Sequence, residues 1–118
     1  MEKLSSSEEQ AMQAVWQAGE GTIKVFLELL ETPMPYTTLA STIKNLEKKG
    51  FIQSKLAGNT YIYKALVTEE AYKQKFMSGF VKNYFSNSYK EMVNFFIKQK
   101  KLTPKELKEI IQMIEKGN

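Results

Sequence analysis

Few of this chain's side chains could do covalent or acid–base chemistry. Across 118 residues there is no Cys and no His, and the 17 cationic and 13 anionic positions are all Lys and Glu. Without Cys there is no thiol nucleophile, disulfide scaffold or thiolate zinc site, and without His there is no imidazole base or common transition-metal ligand. Neither a metal nor a cofactor is expected. Glu, Lys, Tyr, Ser and Thr remain. The carboxylate pairs Glu8, Glu9 and Glu69, Glu70 are sequence neighbours at helix starts, where negative charge complements the helix dipole and adjacent side chains do not face one another. No glycine-rich loop for phosphates and no nucleophile elbow is present. The chain is therefore not expected to be an enzyme.

A different chemistry is spaced along residues 36–64. Thr38, Ser41, Thr42, Asn45 and Lys49 recur at i, i+3, i+4, i+7 and i+11, which on a helix is one stripe of hydroxyls and an amide ending in lysine. Exposed helix faces usually carry Glu, Lys and Gln, so Thr and Ser here cost helix propensity and need a reason. A helix lying in the major groove of DNA supplies one. It needs short side chains near the bases, hydrogen-bonding groups on its groove face and cations near phosphates. Between Lys44 and Lys64 there are five Lys against Glu47 alone. Thr37, Thr38, Ser41, Thr42, Lys44, Asn45, Lys48, Lys49, Lys55 and Asn59 form the expected DNA-contacting set. Lacking Arg, such a surface must rely on Lys, on Asn45 reading adenine, and on hydroxyl and methyl contacts. The rival reading is a protein-interaction module without a DNA role, because residues 1–66 carry seven Lys and seven Glu and are neutral overall.

The elements that must position this stripe are legible. Ser5 with Glu8 three residues later has capping-box spacing, and Met12, Val15 and Trp16 make a buried helical stripe ending at Gly19 and Gly21. Thr22 caps a second helix with Ile23, Phe26, Leu27 and Leu30 on one side, stopped by Pro33. A third helix runs from about Tyr36 to Lys49, burying Leu39, Ile43 and Leu46, and Gly50 ends it. After Gly50 the period changes from 3.6 to 2: residues 51–55 and 60–64 read as strands of a hairpin joined through LAGN. Phe51, Ile52, Tyr61 and Tyr63 should pack that hairpin on the helices. Three helices and a hairpin are the layout of a winged helix. The expected fold is mainly α with a small β-hairpin, a winged helix-turn-helix over residues 1–66 followed by a helical dimerisation region over residues 67–118.

In that second region Tyr72, Phe76, Phe80 and Tyr84 share one helical stripe. Met92, Val93, Phe95, Phe96 and Ile97 lie in the next helical piece, and Leu107, Ile110, Ile111 and Ile114 follow a Thr103, Pro104, Glu106 start. A closed winged helix does not need so many further aromatics, so a symmetric homodimer is expected through Tyr72, Phe76, Phe80, Tyr84, Met92, Phe96, Leu107 and Ile111. The apolar residues around Phe95 should be buried. No run is long and apolar enough to insert in a membrane, and a cytoplasmic location is expected.

The segments LSSSEEQAMQAVW, TIKVFLELL, YTTLASTIKNLEKKGFI and GNTYIYKALVTEE resemble the penicillinase and methicillin-resistance repressor family, whose relatives include copper-responsive repressors. The resemblance spans nearly the whole chain. It implies a cytoplasmic dimeric repressor of palindromic double-stranded operator DNA, relieved in the antibiotic-resistance members when a membrane-bound sensor protease cuts the dimerisation domain. Thr38 and Ser41 match recognition-helix positions of the family, whereas Asn45 replaces a usually basic residue, and Glu9 and Met34 stand where the family often has Trp. The cysteine metal motif of the copper-responsive branch is absent. The family's cleaved Asn-Phe pair resembles Asn94 and Phe95, while alignment on Leu102 and Thr103 places it at Phe95 and Phe96.

Overall fold

In a computed structural model the chain is described from Lys3 to Gly117. The elements in chain order are α1 (Ser6–Ala18), β1 (Glu20–Gly21), α2 (Ile23–Leu29), α3 (Tyr36–Lys48), β2 (Ile52–Ala57), β3 (Thr60–Ala65), α4 (Glu69–Tyr84), α5 (Tyr89–Lys98) and α6 (Pro104–Glu115). Apart from α3, which starts after Pro35 without a side-chain cap, the helix starts follow local sequence chemistry. Ser5 and Glu8 form a reciprocal capping box on α1, and Thr103 and Glu106 form another on α6 with Pro104 just inside the helix. The Thr22 and Ser88 hydroxyls accept the backbone N–H of Val25 and Glu91 at the starts of α2 and α5.

Two compact units divide within α4, the first ending at Phe76 and the second beginning at Met77. In the first unit, Ala11, Met12 and Val15 of α1, Phe26 of α2, and Leu39, Ile43 and Leu46 of α3 close one core. Phe51, Ile52 and Tyr63 of the hairpin region complete it. The sheet has three strands in the order β1-β3-β2, all antiparallel. Residues 20–21, read from sequence as the end of a helix, pair instead with Tyr63 and Lys64, which covers one edge of the wing and anchors its base. The strands reach Ala57 and resume at Thr60, so the turn is Gly58 and Asn59 alone, with Gly58 at φ 63°. The Trp16 indole N–H donates to the Val67 carbonyl at 2.8 Å, fastening the chain that enters α4 back onto α1.

Tyr72 departs from its expected role. Only 8% exposed, it packs in the first unit with its ring 5.8 Å from Trp16 and 6.1 Å from Phe51, and its hydroxyl donates to Glu9 at 3.1 Å. It is thus spent on the winged-helix core, not on a dimer face. In the second unit only Val81 is buried among the described residues, and α5 and α6 bury none. The burial expected for Met92, Val93, Phe95, Phe96 and Ile97 is therefore absent from the single chain: Phe95 is 47% exposed. No helix among the described residues is long and apolar enough to cross a membrane.

Candidate nucleic-acid interface

Helix α3 is oriented by its buried side. Leu39, Ile43 and Leu46 are fully buried, which turns the opposite side to solvent, and Thr37, Thr38, Ser41, Lys44, Asn45 and Lys48 are all exposed there. Those six positions follow i, i+1, i+4, i+7, i+8 and i+11, one continuous stripe about three turns long. Thr42 does not belong to it. It lies only about 60° round the helix from Leu39, is 7% exposed, and its hydroxyl donates to the Thr38 carbonyl at 2.8 Å. A hydroxyl buried on a helix commonly returns to the i−4 carbonyl of its own backbone. The expected stripe was thus rotated toward the core, and the exposed one centres on Ser41 and Lys48.

Further cations lie on the hairpin. Lys55 and Lys64 are exposed, and the register that pairs Lys55 with Ile62 and Gln53 with Lys64 puts both on one face of the hairpin. Glu47, the only acid between Lys44 and Lys64, accepts a hydrogen bond from the Ser54 hydroxyl and so leans on β2. Lys49, expected among the phosphate contacts, is engaged elsewhere. Its Nζ sits 2.9 Å from Oε1 of Glu8, a carboxylate 6% exposed. The backbone hydrogen bond from Ser5 holds the Glu8 pKa below its ordinary value of 4.5 despite burial, and Lys49 adds to that.

Beside the N-terminal end of α3 a cleft of about 390 Å³ is lined by Thr22, Lys24, Tyr36, Asn59, Thr60 and Tyr61 among others. Its lining holds one cation and no carboxylate. Lys24, Tyr36 and Tyr61 were not among the residues expected to contact DNA. Tyr61 was expected in the core, yet it is 53% exposed, because it sits at the turn end of the face whose base carries the buried Ile52 and Tyr63. The pairing of Leu56 with Tyr61 near the turn shows that this face outruns the helices, and strand alternation alone does not reveal where that happens. Asn59, in the turn, is exposed as expected.

The expected dimer residues other than Tyr72 remain accessible: Phe76, Tyr84 and Ile111 are exposed, while Phe80, Met92, Phe96 and Leu107 are half-buried. Asn94, Phe95 and Phe96 lie inside α5.

Comparison with known proteins places these features. The chain is 24% identical over 116 residues, 97% of its length and 94% of theirs, to the methicillin resistance regulatory protein MecI of Mammaliicoccus sciuri and of Staphylococcus epidermidis. Among solved structures, the zinc-responsive MarR family member ZitR of Lactococcus lactis is similar with a TM-score of 0.47 at 20% identity, covering 97% of this chain and 74% of that one. The penicillinase repressor family matches residues 4–116, so the chain belongs to that family and is a DNA-binding transcriptional repressor, not an enzyme.

Proposed function

We propose that the chain represses transcription as a homodimer on palindromic operator DNA, the first unit binding DNA and the second joining two copies. The observation that carries this reading is the exposed stripe of α3, short polar side chains continuous with lysine on a helix whose other side is locked in the core. Thr37, Thr38, Ser41 and Asn45 read base edges or the nearby backbone, while Lys44, Lys48 and Lys55 neutralise phosphates. Asn59 and the cleft residues Lys24, Tyr36 and Tyr61 hold the strand that passes beside the wing, since hydroxyls, amides and Lys are the usual phosphate donors. A protein-interaction module would have no use for hydroxyls at the centre of α3 at the expense of helix propensity.

The dimer is supported by the second unit, where Tyr84 is 73% and Ile111 54% exposed and α5 and α6 bury nothing within one chain. Large apolar side chains left exposed in one unit support an association face there, and a second copy placing two winged helices on two half-sites is the occupant that a palindrome requires. Relief follows from the same economy. A membrane-bound sensor protease, acting on this protein in the cytoplasm, cuts α5 at the Asn94 to Phe96 segment and removes α6. The half-exposed segment is reachable once α5 unwinds locally.

Selecting bound sequences from a pool of random duplexes tests the reading. It predicts enrichment of a two-fold symmetric site, and a change at one or two base positions when the selection is repeated with Asn45→Ala. An unenriched pool would reject operator binding, and an unchanged site with Asn45→Ala would reject the assigned face of α3.

A further inference from the structure

The first turn of α1 carries two adjacent carboxylates that hold two different elements. Glu8, 6% exposed, binds Nζ of Lys49 at 2.9 Å, directly after the last residue of α3. Its other commitments are local: the same Oε1 accepts the Ser5 backbone N–H at 2.9 Å, which closes the capping box and fixes the carboxylate's rotamer. Glu9 accepts the Tyr72 hydroxyl at 3.1 Å in the first turns of α4. Tyr72 is itself clamped by the rings of Trp16, Phe51 and Phe76. One rigid, capped helix turn thus grips the end of the DNA-reading helix on one side and α4 on the other.

Resting on the operator-binding reading above, we propose that Glu8 and Glu9 are positioning residues that tie the C-terminal end of α3 to α4, so that each winged helix's affinity for its half-site depends on α4 through Lys49 and Tyr72. Lys49 then acts on DNA by setting where Asn45 and Lys48 lie, four residues and one residue before it, and not as a phosphate ligand. The lysine is held by a nearly buried carboxylate, and moving it to a phosphate would leave Glu8 charged and desolvated with one partner fewer.

The test uses the full chain and a duplex bearing one half-site, titrated at several salt concentrations, with Glu8→Gln, Lys49→Gln, the double variant and Tyr72→Phe. Gln at position 8 keeps an oxygen for the Ser5 N–H, and Phe at position 72 keeps the ring packing, so both retain the fold. The proposal predicts that Glu8→Gln and Lys49→Gln each weaken half-site binding by about five- to tenfold, a part of what one charged hydrogen bond contributes, since the tie acts on DNA through the position of α3. The double variant should be no worse than either single one, and Tyr72→Phe should weaken binding about threefold, because its bond to the Glu9 carboxylate lies one element further from α3. The salt slope should match the parent's in all four. A merely electrostatic role gives opposite signs: deleting a carboxylate near DNA strengthens binding, and deleting a phosphate-bound lysine lowers the slope by about one. That pair of results would overturn the proposal. Amide hydrogen exchange without DNA separates it from the operator reading. Faster exchange at residues 45–51 in Glu8→Gln and in Tyr72→Phe is expected even if the parent binds no DNA, and unchanged exchange in both overturns the coupling.

Discussion

At the scale of single residues, the difference between Thr42 and Ser41 decides what is read on α3. Both are hydroxyls one position apart, yet 100° of rotation puts Ser41 in solvent and Thr42 against the core with its hydroxyl returned to Thr38. Thr42→Val should therefore leave the preferred DNA site untouched and change stability by less than about 1 kcal/mol, since the i−4 bond adds little to a helix. Chemical denaturation beside a site selection checks both halves. Sequence periodicity made α3 and its polar side legible, but a stripe at i, i+3, i+4 and i+7 has two edges, and only packing tells which edge is buried. The same holds for Lys49, whose partner Glu8 lies 41 positions away. No local pattern could announce that pair.

At the scale of elements, the capped start of α1 and the wing show what local chemistry can and cannot specify. Ser5, Glu8, Thr103, Pro104 and Glu106 mark their helix starts because capping involves residues three apart. The two-residue strand β1 escapes such reading, since it exists only by pairing with Tyr63 and Lys64, more than 40 residues on. Glu8 gives the cap a pH dependence. Its folded pKa lies below the ordinary 4.5, chiefly through the Ser5 backbone bond, so its contribution is complete above that value and is lost as pH falls through the folded value. Thermal melts of the parent between pH 6 and pH 3 should therefore lose more stability than melts of Glu8→Gln. Curves that stay parallel across that range would mean that the cap carries no such linkage.

At the scale of the whole molecule, the contrast between the units is what supports the proposed dimer. The first unit closes its own core around Phe26, Leu39 and Ile43, and Tyr72 from α4 joins it. The second leaves Tyr84, Phe95, Ile111 and Ile114 with large exposed areas. Sequence showed the abundance of aromatics there but not their division, because periodicity cannot distinguish a side chain buried by its own fold from one awaiting a partner. Ile111→Glu costs the single chain little, as the position is already exposed, yet it places a charge in the proposed dimer face, where an unpaired buried charge costs several kcal/mol (about 3–5). Sedimentation at micromolar concentration should show the parent as a dimer and this variant as a folded monomer. The most direct test of the central claim, a dimer repressing through α3 and its lysines, is an anisotropy titration of the full chain with the selected palindrome, a single half-site and a random duplex across salt concentrations. With three or four phosphates neutralised per protomer, the logarithmic slope should be about −5 to −7. The palindrome should bind at least about 100-fold tighter than the half-site, because the second contact becomes intramolecular. Affinity that is indifferent to salt, or equal for palindrome and random duplex, would contradict it.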